Sequence, residues 1–254
     1  MNIKLHEKAL KDEVFFTKTK WPHFDLLFKN LNKLSKKIKK DDFIISLERS
    51  SLYGKISLFA PYFSKGKFIS VDCTSKKLKS RGSYNKKFTN NKNIIKNLSC
   101  YSFDYKNINL KKNNANLVII PNLMHHVDDS DALLNSASKL LKKNGMIYIF
   151  EPLLRELHQM PEDYGRFTPY ILEKKLAKVG FKKIKYEFTG GPFTSIAYFV
   201  DQAIQYFPKQ KRLIYEKKFR KEFPKLLKYD KKYKSNKVRK NTLSPVAFSI
   251  TAIK

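Results

Sequence analysis

The chain has 254 residues, a formal net charge of +31, 42% hydrophobic residues and 14% aromatic ones. That apolar content excludes a disordered protein, and no apolar run approaches the roughly 20 residues of a membrane helix. Two cysteines, Cys73 and Cys100, exclude a disulfide framework and a cysteine metal cluster.

Lysine greatly outnumbers arginine, and the excess accompanies many Asn and Ile residues, a mixture that AT-rich coding produces. Nucleic-acid binders cluster arginine with lysine and place aromatics for stacking. The charge is therefore read as solvated faces, with an anionic partner as the alternative. The N-terminal stretch mixes acids and bases and lacks a signal-peptide core, so a cytoplasmic protein is expected.

In chain order, Trp21, Phe24, Leu27, Phe28 and Leu31 form an apolar stripe at helical spacing within a helical segment, 1–40. Phe43 to Leu47 reads as a buried strand, followed by Glu48 and a helix from Lys55 to Ala60 that Pro61 closes. Lys67 to Val71 is a second strand, tipped by Asp72. Residues 74–93 are polar and irregular, and a weaker strand over 96–103 ends at Phe103-Asp104.

Ala115 to Pro152 organises the rest: strand Leu117–Ile120, a helix with Leu133, Leu134, Ala137, Leu140 and Leu141 on one face, and strand Met146–Phe150. Asp128, Asp129 and Ser130 supply the helix N-cap, and Gly145 is expected as a left-handed terminator. Such a βαβ unit predicts an α/β fold with a doubly wound, mostly parallel sheet. Ligands bind such sheets beyond the carboxyl ends of the strands. That singles out Pro121 to His126 and Glu151-Pro152.

Thr168 and Pro169 then start a helix carrying Leu172, Leu176 and Val179, and Gly180 ends it. Lys182 to Phe188 alternates as a strand, Gly190-Gly191-Pro192 breaks the chain, and another helix runs from about Ser195 to Tyr206. In the basic segment that follows, residues 209–240 hold 15 basic and 3 acidic residues with interleaved aromatics, which predicts packed helices. Pro245 to Ile253 is a terminal strand.

The order strand–acid–loop–helix, strand–Asp, strand–Asp and then the βαβ unit resembles the class I S-adenosylmethionine-dependent methyltransferases of methyltransferase type 11. Three stretches carry the resemblance: KFISVDCT, NANLVIIPNLMHHVDDSDALLNSASKLLKKNGMIYIFEP and EDYGRFTPYILEKKLAKVGFKKIKYEF. It implies a seven-stranded Rossmann-like sheet in one domain: N-terminal helical segment 1–40, core 41–190, helical insert or cap 191–243, and final strand 244–254. It implies S-adenosylmethionine as cofactor. Glu48 then matches the acid of the glycine motif and Gly54 its last glycine, while Ser50 and Leu52 stand at the other two glycine positions. Asp72 would hold the ribose hydroxyls through its two acceptors. Asp104, with Phe103 or Tyr105, would meet the adenine, and Asn122, Leu123 and Met124 would line the methionine end. Asp72 and Asp104 also read as ordinary turn acids.

His126 and His125 are the candidate catalytic residues, since a base assists a hydroxyl acceptor. Lining the site is their plainer role. Adjacent histidines point different ways and no partner spacing supports a metal, so none is expected. His158, Asp163, Tyr164 and Arg166, beside Glu162, suit a polar acceptor. Arg166 pairing with Glu162 or Asp163 is the structural alternative. The leading reading is methyl transfer to a small-molecule or glycan acceptor, anionic or neutral. An inactive binding protein, which Leu52 favours, and an RNA-directed methyltransferase are the alternatives.

Overall fold

Every second residue of a β-strand faces the same side of its sheet, and here both sides of the central strands are apolar. The computed structural model describes residues 22–49, 57, 59–73, 98–232 and 244–254. Its seven strands are β1 (Phe43–Glu48), β2 (Lys67–Asp72), β3 (Leu98–Ser102), β4 (Ala115–Pro121), β5 (Leu141–Pro152), β6 (Lys182–Thr189) and β7 (Ala247–Ile253). They form one sheet in the order β3-β2-β1-β4-β5-β7-β6. Neighbours from β3 to β5 are parallel, and β7 runs antiparallel to both β5 and β6. The winding reverses between β1 and β4, the place where open α/β sheets hold their ligands.

Among the described residues five α-helices accompany the sheet: α1 (Pro22–Ser35), α2 (Ser130–Leu140), α3 (Pro169–Lys178), α4 (Pro192–Ile204) and α5 (Lys209–Lys232). Leu26, Leu27, Phe28, Leu31 and Leu34 of α1 cover Ile44, Phe68, Leu117, Ile119, Tyr148 and Phe150. The alternate residues Ile45, Leu47, Val118, Ile120, Ile147 and Ile149 meet Leu133, Leu134 and Ala137 of α2 and Leu172 and Leu176 of α3. Burying one such side chain is worth about 1.5–3 kcal/mol, so these two layers fix where the strand ends point. Asn30 of α1 donates to Ser249 of β7 at 2.9 Å inside that packing and sets the helix against the sheet.

Caps bound the helices as their sequences predict. Asp129 accepts from the Ala132 N–H at 2.9 Å, and Thr168 from the Ile171 N–H at 3.5 Å. Gly180 has φ +92. Gly145 differs from its expected role. The left-handed residue is Asn144, at φ 62. A Cβ on Gly145 would lie 2.9 Å from the Lys142 carbonyl and 3.0 Å from that of Ala115, so close backbone approach requires the glycine there. Pro61 differs too: it stands in the first turn of a 3-10 turn, Ala60–Phe63, because its locked φ suits a helix start better than an end. Ser50, Leu52 and Gly54 lie outside the described residues, as do residues 55, 56 and 58 of the expected 55–60 helix.

Helices α4 and α5 pack through Ala197, Tyr198, Ile204, Phe219 and Phe223. Asp230, near the end of α5, accepts from the N–H groups of Phe193 (3.0 Å) and Thr194 (2.8 Å) and from the Thr194 hydroxyl. A carboxylate belongs at a helix N-terminus, where the peptide dipoles leave partial positive charge. A Cβ on Gly191 would meet Asp230 Oδ1 at 2.5 Å. No described helix is long and apolar enough to cross a membrane.

Candidate active site

β5 delivers Glu151, 1% exposed, to the carboxyl end of the sheet. Its Oε1 accepts the N–H groups of Leu123 (2.8 Å) and Met124 (2.7 Å), and its Oε2 lies 2.6 Å from Nδ1 of His125. One side chain thereby fixes the whole loop after β4. Asn122 opens that loop at φ 60, a conformation Asn tolerates, with its N–H on the Phe150 carbonyl at 2.8 Å. The short turn Met124–His126 follows, wholly buried.

His126 Nδ1 lies 2.5 Å from the Glu162 carbonyl, so this nitrogen carries the proton. Burial first, then the His125 ring and the Arg49 charge, lower its pKa to about 2. A neutral imidazole that resists protonation so strongly is a poor proton acceptor. His126 therefore lines the site rather than serving it as a strong base. His125 is fully buried, and its Nε2 has no hydrogen-bond partner among the described residues. An unmet buried polar atom costs about 1–3 kcal/mol.

The connector after β5 is pinned from several sides. Arg49, directly after Glu48, donates to Gln159 Oε1 and Glu162 Oε2, both at 2.7 Å. Arg166 pairs with Asp163 and reaches the carbonyls of Gly165, Glu156 and Arg155. Burial works against the Asp163 charge, yet the Arg166 guanidinium and the His158 N–H hold its carboxyl well below the usual range. Of the two partners foreseen for Arg166, Asp163 is the one it takes. Tyr164 donates its N–H to the His125 carbonyl at 2.8 Å.

These elements enclose a cavity of about 560 Å³, lined by Cys73, by Ser102 to Lys106, and by His126, Asp128, Glu162 and Tyr164. Of the sequence-predicted residues, Phe103, Asp104, His126 and Tyr164 line it directly. Asp72, 6% exposed, precedes Cys73 at its rim. Asp104 Oδ1 accepts from the Lys106 N–H at 2.9 Å, and the Tyr105 hydroxyl bonds Asp128. Leu123 is 1% exposed and Asn122 half-buried; they shape the loop. His158, Asp163 and Arg166 are not among the residues that line this cavity; they bond one another and the connector backbone. Glu48 ends β1 beside Asp72 and accepts from the Ser70 hydroxyl at 2.7 Å. Burial pushes its carboxyl up to about 7, against the pull of Ser57, Ser70 and Ser46, with Asp72 adding to the rise. Burial and the carboxylates of Asp72, Glu48 and Asp104 push the Cys73 thiol up as well, which keeps it unreactive.

A model of the methyltransferase domain matches residues 54–242. The chain belongs to that family. The class I S-adenosylmethionine-dependent methyltransferase resemblance and its seven-stranded α/β sheet are thus shown in this methyltransferase-domain protein. Its fold is that of phosphoethanolamine N-methyltransferase 2 from Haemonchus contortus in complex with S-adenosyl-L-methionine, at TM-score 0.54 and 14% identity. That alignment covers 89% of this chain and 52% of the other, so the chain spans about half the length of that relative. A putative sarcosine dimethylglycine methyltransferase from Galdieria sulphuraria aligns at TM-score 0.53 and 9% identity, over 91% and 83% of the two chains. A SAM-dependent methyltransferase from Archaeoglobus fulgidus aligns at 0.51 and 16%, over 91% and 94%. At these identities the likeness is one of fold. No curated protein matches.

S-adenosylmethionine is the cofactor of this family, and the donor set here fits it. A strand-end carboxylate offers two acceptors for vicinal hydroxyls. Phe103 and Tyr105 line the cavity beside Asp104, and the loop after β4 is held in place by Glu151. The sequence singled out Glu151 by its place at a strand end but not its clamp on the loop after β4, whereas nothing local to Arg49 points to partners 110 and 113 residues away.

Proposed function

We propose that this protein methylates a small polar acceptor, a sugar or another hydroxyl- or amine-bearing molecule, using S-adenosylmethionine. The observation that carries this reading is the single cavity joining the acid–aromatic loop Ser102–Lys106 to His126, Glu162 and Tyr164. About 560 Å³ suits a compact ligand set rather than an extended polymer. The two methyltransferases named above for phosphoethanolamine and for sarcosine and dimethylglycine act, by their names, on molecules of this size class.

When bound, S-adenosylmethionine supplies an electrophilic methyl group on a sulfonium. Asp72 accepts from the ribose hydroxyls, and Asp104 with Phe103 holds the base. Glu151 holds Leu123 and Met124, and the Phe150 carbonyl holds Asn122, where the methionine end would lie. Glu162 and Tyr164 present polar groups to the acceptor, while Arg49 fixes Glu162 in place. Holding two reactants in attack geometry is itself a large share of such catalysis. His126 contributes an imidazole lone pair to the same wall and takes no proton from the acceptor.

Calorimetric titration with S-adenosylmethionine and S-adenosylhomocysteine tests the reading. Saturable binding that Asp72→Asn weakens supports it. No binding at millimolar cofactor sinks it in favour of a methyltransferase-like protein without activity.

A further inference from the structure

Three of the chain's five histidines meet beside the cavity. The ring centroids of His125 and His126 are 3.9 Å apart, His125 and His158 5.3 Å, and His126 and His158 4.9 Å. Their planes are tilted, not stacked, so adjacent residues of one turn converge with a third from the connector. Each Nδ1 already faces an oxygen: Glu151 Oε2 for His125, the Glu162 carbonyl for His126, and the Glu156 carbonyl at 3.0 Å for His158. Carbonyls only accept, and the Glu151 carboxylate already accepts two other N–H groups, so all three Nδ1 atoms carry protons.

That tautomer leaves Nε2 as a lone pair on every ring. Such a lone pair beside the cavity suits an electropositive partner. His125 Nε2 is wholly buried and, among the described residues, unpartnered, which is the mark of such an unmet centre. One ligand nitrogen from each ring lies within 4.8 Å of the other two. Ideal tetrahedral coordination at about 2.0 Å sets donor nitrogens roughly 3.3 Å apart, so the three rings would draw together on binding.

We infer that His125, His126 and His158 form a three-histidine site for a divalent transition-metal ion of the zinc class, with one coordination position open toward the cavity. Neutral imidazoles select zinc-like ions over magnesium or calcium, which prefer oxygen. The surroundings repeat what tunes such sites: Glu151 stands behind His125, and Asp163 Oδ2 is 3.2 Å from His158 Nδ1. Carboxylates behind ligating histidines fix the tautomer and raise ligand basicity. Metal binding stands independently of methyl transfer. Its consequence for the acceptor, a Lewis-acidic seat at the cavity wall, rests on the reading above.

The untagged chain, stripped with a chelator and dialysed, is titrated with zinc by calorimetry and with cobalt(II) by visible absorption. One equivalent of zinc and the intense bands of nitrogen-coordinated cobalt are expected. Glu151→Gln turns an amide N–H toward His125 and drives its proton to Nε2, so zinc affinity falls about 10–100-fold. His158→Ala removes a ligand and costs more than that; circular dichroism checks its fold, and His158→Gln replaces it if it fails to fold. No stoichiometric zinc, equal affinity in the His158 variant, or displacement of zinc by equimolar magnesium overturns the proposal. The same samples are titrated with S-adenosylmethionine. Zinc binding without cofactor binding removes only the methyl-transfer reading, and cofactor binding without zinc removes only this one.

Discussion

Glu48 and Glu151 end two central strands, are equally buried, and have opposite surroundings. Glu151 accepts two backbone N–H groups and faces an imidazole, three donors that hold one loop. Glu48 accepts from serine hydroxyls and lies beside Asp72, so burial and a like charge push its carboxyl up to about 7. Burial alone therefore does not define a carboxyl group. Oriented N–H donors turn one into a structural clamp; hydroxyls and a neighbouring acid leave the other poised to titrate near neutrality.

Breaking the clamp has the largest expected effect. Glu151→Ala strands two backbone N–H groups and a buried histidine, costing about 3–5 kcal/mol. The thermal midpoint is expected to fall on the order of 10 °C in differential scanning calorimetry. A drop no larger than that of a surface control would dissolve the contrast between the two acids.

Glu48 contributes through pH instead. Below about pH 4.5 it is protonated in folded and unfolded chains alike. Between there and about 7 the unfolded chain releases the proton and the folded chain keeps it, so stability falls as pH rises, then levels off. A shift of that size corresponds to about 3 kcal/mol. Glu48→Gln is expected to flatten this slope in denaturant titrations across the window. An unchanged slope would show that Glu48 titrates normally.

Asp72→Asn sharpens the comparison from the neighbouring strand. Losing this charge lowers the Glu48 midpoint, and losing a charged acceptor weakens cofactor binding by about 1.5–3 kcal/mol, or roughly 10–100-fold in calorimetry. Ser70→Ala has the smallest effect. It removes one hydroxyl donor, costs about 0.5–1.5 kcal/mol, and moves the Glu48 midpoint further up, which pH-dependent unfolding would register.

The sheet was legible because its strands are continuous apolar runs and its helices carry apolar stripes: Leu117–Ile120, Met146–Phe150 and the Leu133 to Leu140 face are where the residues predict, while Leu141, expected on that face, turns extended and opens β5. The acids at strand ends were legible for the same reason, since a polar residue closing a buried run must face the rim. Gly145 was found but misread, because φ and close approach leave the same residue in a sequence. Arg49, Gln159 and Glu162 were hidden by distance along the chain, for ion pairs have no periodicity. His126 looked like a base because the ordinary histidine pKa suits one; enclosure removed that suitability. His158 gave no sign of joining His125, since the connector's path depends on Arg166 and Asp163 packing.

The Asp230 cap also gives α5 a built-in reporter. The amide protons of Phe193 and Thr194 are held by a side chain from the far end of a 24-residue, strongly basic helix. Those two amides can exchange with solvent deuterium only as fast as α5 lifts from α4. Their exchange rates, followed by mass spectrometry or NMR, would time the undocking of that helix and would slow on addition of any partner that clamps it down.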